Sequence, residues 1–377
     1  MTCEKLTPKK IVIRSVNWIG DAVMSMPAVH QLRKTFPGAK INLLVKENIA
    51  DLWKNNTNLD GLITFSKSES LCAIKKKIKE YNFDLAVVFP NSFRSAFEMW
   101  LARIPNRVGF GYGLRSLLLT IPVRPPHKFV KIKKVSKQKI IRLINDGKSE
   151  PVIRFSPEHH HIYNYLRIVG AIGASQEPIE PQIIVPQIDI DLLTQKFGLN
   201  KLSGRKILGI NPGAEYGVAK RWFPERFVDA AIQIYNKTKC GILIFGGQKD
   251  ESYCEQIYTQ IKSRVDNPDC VINLTGKTSL TQLCAALKLC NAVISNDTGP
   301  AHIAAAVGTR IVTIFASTSP ELTSPGLPHS DKHVIIRSTA PCSPCFRREC
   351  PIDFRCMKEI TVEKIVVATL SILSTNH

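Results

Sequence analysis

Three short stretches of this 377-residue sequence hold groups able to do chemistry together. Gly20-Asp21 stands where an apolar run, Ile11 to Val16, gives way to a helical pattern. A carboxylate there can act as a general base, although Asp at a helix start is also an ordinary cap. Ser295-Asn-Asp-Thr-Gly-Pro-Ala-His302 gathers Asp297, the Thr298 hydroxyl, Gly299 and His302 just after another apolar run. Free backbone N–H groups and the helix dipole at Gly299-Pro300 suit that turn to a diphosphate. Between the two, Asn211-Pro-Gly-Ala-Glu-Tyr-Gly-Val-Ala-Lys-Arg-Trp222 offers glycines, Gly213 among them, that let backbone approach a ligand. Lys220 and Arg221 follow, able to neutralise phosphate charge.

Other nucleotide signatures fail on spacing or place. Gly276-Lys-Thr278 ends like a P-loop, but position 271 is Val where that motif needs Gly. Gly109-Phe-Gly-Tyr-Gly113 has the wrong glycine spacing for a dinucleotide fingerprint. Asp189-Ile-Asp191 has the form of a metal-binding carboxylate pair, but it falls in a linker-like region and reads as an exposed helix start. The cysteines divide in two. Seven of the eleven are scattered and read as small buried hydrophobes, whereas Cys342, Cys345, Cys350 and Cys356 cluster within 15 residues. Four thiolates can satisfy tetrahedral zinc, and free thiols or disulfides are the other readings of the same spacing.

The elements that would carry these residues come from short apolar runs. Ile11 to Val16, Ile41 to Val45 and Asp84 to Phe89 read as buried parallel strands alternating with helices. The same grammar restarts at Ile207 to Pro212, Gly241 to Gly246, Val271 to Leu274, Ala292 to Ser295 and Ile311 to Phe315. Two doubly wound α/β domains follow, in keeping with the chain length. Their expected extents are 1–185 and 205–340, joined by a linker over 186–204 and followed by the cysteine cluster and a helix over 341–377.

Charge is the unusual part of the composition. Lys and Arg number 51 against 31 Asp and Glu, a net charge of +20, which favours polyanionic partners. Residues 123–154, expected as a basic insertion of the first domain, hold ten Lys or Arg against Asp146 and Glu150. Interleaved Phe129, Val130, Ile132, Val135, Ile140 and Ile141 would give that stretch an interfacial apolar face for an anionic membrane. The start of the sequence lacks the apolar core of a secretory signal, and no apolar run is long enough to span a bilayer, so a cytoplasmic, peripheral protein is expected. Zinc-finger, helix-turn-helix and aromatic RNA-binding signatures are missing, which argues against nucleic acid as the partner.

Asn17-Trp-Ile-Gly-Asp21, Pro90-Asn-Ser-Phe-Arg-Ser95, Pro212 to Trp222 and Asn296-Asp-Thr-Gly299 with His302 resemble the glycosyltransferase family 9 heptosyltransferases, most closely the heptosyltransferase II branch. The resemblance implies a GT-B fold, two Rossmann-like domains facing a central cleft. It implies inverting transfer of L-glycero-D-manno-heptose from ADP-heptose to the first heptose of the lipopolysaccharide inner core (heptosyl-Kdo2-lipid A), with no catalytic metal or cofactor. On that footing Asp21 is the general base and Lys220 steadies the departing ADP. Asn17, Gly20, Gly213, Gln248, Thr278, Asp297, Thr298, Gly299 and His302 bind the donor, and Arg94 and Arg115 the acceptor. Two other classes compete: a nucleotide-sugar epimerase, which would need no acceptor, and a nucleic-acid binder suggested by charge alone.

Overall fold

The computed structural model describes residues 6–125, 133–146, 155–328 and 330–374, which form two units. One comprises Met1–Val130 and Glu158–Ile184, the other Lys131–Pro157 and Val185–His377.

The first unit runs β1 (Lys10–Arg14), α1 (Ile19–Thr35), β2 (Lys40–Lys46), α2 (Glu47–Ala50), β3 (Gly61–Phe65), α3 (Leu71–Lys79), β4 (Leu85–Val88), α4 (Phe93–Leu101), β5 (Asn106–Phe110), a 3-10 turn at Gly113–Leu118 and β6 (Ile121–Val123). All strands are parallel, in the order β3-β2-β1-β4-β5-β6. α5 (Lys137–Asn145) belongs to the second unit, and α6 (His161–Gly170) returns to the first to pack along α1. Covered by the sheet and by α6, α1 buries ten of its residues from Ala22 to Leu32. α3 and α4 pack on each other, and Ile74, Ile78, Ala96 and Met99 join Val12, Leu44, Phe65 and Val88 in a core whose larger members each contribute about 1.5–3 kcal/mol on burial.

The second unit repeats the plan. β7 (Ile207–Asn211), α8 (Pro224–Thr238), β8 (Gly241–Ile244), α9 (Glu251–Lys262), β9 (Val271–Asn273), α10 (Leu280–Leu289), β10 (Ala292–Asn296), α11 (Gly299–Ala306), β11 (Arg310–Phe315), α12 (Pro320–Thr323) and β12 (Val334–Arg337) follow α7 (Gln187–Phe197), and α13 (Arg355–Lys358) and α14 (Val362–Ser374) close it. Its parallel order is β12-β11-β10-β7-β8-β9. Each sheet therefore has the doubly wound order in which chain direction across the sheet reverses once, between β1 and β4 and between β7 and β10. Open sheets of this kind take ligands outside the carboxyl ends of the strands at that reversal.

Two expected boundaries shift. The linker expected over 186–204 is mostly helix: the prolines end at Pro186, and α7 packs on α10 through a face that includes fully buried Leu193. The basic stretch joins the second unit rather than the first. There the Val135 N–H donates to the Cys345 carbonyl (3.0 Å), Arg347 donates to the Val135 carbonyl (2.9 Å), and the rings of Phe155 and Phe346 meet edge to face. Val135 and Ile140 are buried by this packing and offer no interfacial face; Ile141 is exposed, and Phe129, Val130, Ile132, Lys128, Lys131, Lys148, Glu150 and Arg154 lie outside the described residues.

Candidate functional site

Both reversal points carry the residues singled out from sequence. In the first unit, β1 ends at Arg14 and the chain passes Asn17 and Trp18 into α1, whose first turn holds Gly20 and Asp21. The Asp21 side chain is 31% exposed. α6 supplies it with two neighbours one helical turn apart. The Tyr165 hydroxyl donates to Asp21 Oδ1 at 3.1 Å, and His161 Nδ1 lies 3.7 Å from the same oxygen. Burial first, and then the Asp21 charge, hold the Tyr165 phenol well above its usual pKa, so it stays a donor. A carboxylate oriented in this way, with one side open to solvent, can take a proton from an incoming hydroxyl.

Beside it, the loop from Pro90 to Ser92 leaves β4 and caps α4. Arg115 is buried, and its guanidinium donates to the carbonyls of Ser92 (3.1 Å) and Pro90 (2.8 Å), so it pins this loop from the 3-10 turn. Burial pulls its pKa down to about 10, against a smaller opposing effect of Tyr112. Arg94 is exposed, donating to Glu98 at 3.1 Å, while Arg14 reaches the same carboxylate at 2.7 Å. One buried glutamate thus holds two arginines at the carboxyl edge, where burial first, and then the charges of Arg14, Lys67 and Arg94, lower the Lys46 pKa.

The second reversal point is denser. Lys220 Nζ contacts Asp297 Oδ2 at 2.5 Å and donates to the Asp297 carbonyl at 3.2 Å, and the Thr318 hydroxyl donates to Oδ2 at 2.6 Å. Asp297 is only 4% exposed. The Lys220 ammonium also lies 5.0 Å from the centre of the Tyr216 ring. Asn211, the last residue of β7, donates to the hydroxyls of Ser295 (2.8 Å) and Thr298 (2.9 Å), which fixes the turn into α11. Gly299 opens that helix and His302 is buried in it. The geometry sets an ammonium beside a helix N-terminus, a pairing suited to the charge that develops on a departing diphosphate.

Gly213 permits a close approach: a Cβ there would overlap the Asp250 carboxylate, which Arg221 holds at 2.8 Å. At Gly217, φ is +151° and a Cβ would strike the Arg348 backbone. Gln248 is exposed after β8 and half-buried Thr278 follows β9, both off the reversal point. Tyr165, His161 and Thr318 were not picked out from sequence, since nothing near them in the chain marks them, and Tyr216 and Arg348 lie inside marked segments without a role of their own. Only the fold brings α6 to α1 and the cysteine segment to the loop after β7.

That segment serves as backing. The Tyr216 hydroxyl donates to the Phe346 carbonyl (2.9 Å) and the Ala219 N–H to the Arg348 carbonyl (2.9 Å). Cys342, Cys345 and Cys356 are buried and Cys350 half-buried. Burial pushes the Cys342 thiol up to about 11 and raises Cys356 as well, the neighbouring sulfurs adding to both. Among the described residues no group of three or more His, Cys, Asp or Glu side chains is arranged to hold a metal ion.

Comparison with known proteins agrees with this geometry. The glycosyltransferase family 9 (heptosyltransferase) model matches residues 71–138 and 154–354. The lipooligosaccharide heptosyltransferase 2 of Campylobacter jejuni is 26% identical over 372 residues, covering 98% of this chain and 99% of the relative. Among solved structures, an Escherichia coli ADP-heptose LPS heptosyltransferase II superposes with a TM-score of 0.71 at 23% identity, covering 97% of this chain and 98% of that one. A family 9 glycosyltransferase from Veillonella parvula gives a TM-score of 0.77 at 19% identity, with 98% of each chain covered. The fold is GT-B, with its two parallel six-stranded sheets. With its matched family model spanning both units and its candidate residues at both reversal points, the chain belongs to glycosyltransferase family 9, the heptosyltransferases.

Proposed function

We propose that this glycosyltransferase moves L-glycero-D-manno-heptose from ADP-heptose to the first heptose of the lipopolysaccharide inner core, inverting the sugar carbon, at an anionic membrane face. The observation that carries the reading is the pair of unlike sites. Asp21 is an oriented, half-open carboxylate, and Lys220 is an ammonium at a helix N-terminus. The relatives' names, heptosyltransferase 2 and ADP-heptose LPS heptosyltransferase II, support the sugar and the nucleotide.

In this mechanism the acceptor hydroxyl attacks the anomeric carbon and its proton passes to the Asp21 carboxylate. The bond from that carbon to the diphosphate oxygen breaks, and ADP leaves with its new charge met by Lys220 and the N–H groups that open α11. Thr298, Gly299 and Gly213 would line the diphosphate. Asn17, Gly20, Gln248, Thr278 and His302 complete the proposed donor set, and Asp297 holds Lys220 in place. Arg94 would meet the acceptor, with Arg115 fixing the loop beside it. A panel of nucleotide sugars and core acceptors, with mass detection of the product, tests the assignment. ADP release only when acceptor is present, with a heptose mass added, is expected; a hexose product or acceptor-independent turnover would overturn it.

A further inference from the structure

α4 breaks the rule for a helix on the outside of a domain. Its inner face buries Ser95, Ala96 and Met99, yet its outer face is also apolar: Phe93 is 52% and Trp100 45% exposed, with Phe97 half-buried between them. The three rings stack in a row, with centroids 5.9 and 5.5 Å apart. A surface helix ordinarily turns polar residues outward. The 3-10 turn that packs on α4 adds Leu114 and Leu117, 75% and 77% exposed, and Arg115 pins that turn to the β4 loop. Trp18 and Phe93 follow β1 and β4, and Leu114 follows β5, so much of the apolar surface rims the carboxyl edge that also carries Asp21.

Cations flank this surface. α3, packed beside α4, presents Lys75, Lys76 and Lys79, and Arg94 and Arg103 stand exposed at the two ends of α4. Aromatic rings with a basic border are the composition that settles at the boundary of headgroups and acyl chains. Among the described residues of the basic stretch around α5, Val135 and Ile140 are buried and Ile141 alone of its apolar side chains is exposed.

We propose that the Phe93–Phe97–Trp100 row with Leu114 and Leu117 is the seat by which the protein docks on an anionic bilayer. The rings and leucines enter the interface, and the α3 lysines and α4 arginines meet lipid phosphate. This rests on the proposed lipid-borne acceptor and adds a geometry to it: the docked edge is the one where Asp21 waits, so the acceptor sugar reaches the base without leaving the membrane surface.

The test is co-sedimentation of the full chain with vesicles of phosphatidylethanolamine and phosphatidylglycerol, beside vesicles of phosphatidylcholine alone. The variant Phe93→Ser/Trp100→Ser/Leu114→Ser/Leu117→Ser, checked for an unchanged melting transition, should bind the anionic vesicles at least about tenfold more weakly. Lys75→Gln/Lys76→Gln/Lys79→Gln should abolish the salt-sensitive part of binding while the apolar part survives. On a deacylated acceptor the serine variant should turn over like the parent, and on vesicle-borne acceptor it should fail. Undiminished vesicle binding by the serine variant overturns the proposal. So does a parent dimer that the variant splits without any change in vesicle binding, since the occupant would then be a second copy of the chain. Vesicle binding is read without turnover, so a wrong acceptor or sugar leaves this result standing.

Discussion

Asp21 and Asp297 hold matching places, each just beyond a strand that borders the reversal point of its sheet, yet their surroundings are opposite. Asp21 receives a phenol hydrogen bond, has a histidine nearby and keeps 31% of its side chain exposed. Asp297 is 4% exposed, paired with an ammonium and tied by a hydroxyl. A carboxylate engaged in that way serves to hold its ammonium, because parting a buried ion pair leaves a charge uncompensated. One fold plan, used twice, thus yields a partly open carboxylate, the proposed base, in one unit and a clamp for a cation in the other. What differs is the burial of each carboxylate and the ammonium that Asp297 holds.

The contrast is broken most severely at Asp21. Asp21→Asn should lower turnover by about 10²- to 10⁴-fold, the usual contribution of a general base, while ADP affinity measured by calorimetry stays at the parent value. Undiminished turnover would remove the base from this position. Lys220→Met attacks the other side. It strands a buried carboxylate, so urea unfolding should show a loss of about 3–5 kcal/mol, together with weakened ADP binding. A loss below about 1 kcal/mol would mean that the pair behaves as a solvent-screened surface bridge.

Tyr165→Phe sharpens the comparison more gently. Taking a donor from the charged form of Asp21 should move the acid limb of the kcat/KM profile to higher pH, by about one unit for a hydrogen bond worth 1.5 kcal/mol. An unmoved limb would reduce the phenol to packing. The smallest effect separates the units by acid stability. His333, buried just before β12 in the second unit, has no hydrogen-bond partner on either ring nitrogen among the described residues, and burial pulls its pKa from 6.5 to about 4. Its folded pKa lies below the unfolded one, so its neutral form favours the fold above pH 6.5. That contribution drains as pH falls toward 4, with a slope of at most about 1.4 kcal/mol per pH unit. His333→Leu should flatten this slope in urea unfolding; an unchanged slope would place the acid-sensitive group elsewhere.

Both sheets were legible from sequence because their central strands are short apolar runs that no helix period can explain. The strands that escaped notice lie toward the edges. Gly61–Phe65 opens on a glycine and is only partly buried, Asn106–Phe110 overlaps the glycine motif rejected as a fingerprint, and Val334–Arg337 is only half-buried. Asp21, Lys220 and the turn at Asp297 were legible because each follows a strand directly. Tyr165 and His161 were not, since their helix reaches α1 only after a long excursion of the chain through the other unit. Composition reports the charge of the basic stretch, but the setting of Val135 within it is decided by Cys345 and Arg347, more than 200 residues later.

The backing of the loop after β7 has a consequence for synthesis. Tyr216 and Ala219 lean on Phe346 and Arg348, the Trp222 indole donates to the Ile360 carbonyl, and α14 packs against α8, β10 and β11. The first unit, by contrast, is complete at Ile184. Domains fold as units while the chain emerges. The unit bearing Asp21 and the aromatic row can therefore mature on the ribosome first, whereas the second unit gains the wall behind the loop after β7 only once Ile360 has emerged. A message truncated before Cys342 would encode the first unit whole and leave the loop after β7 without its backing.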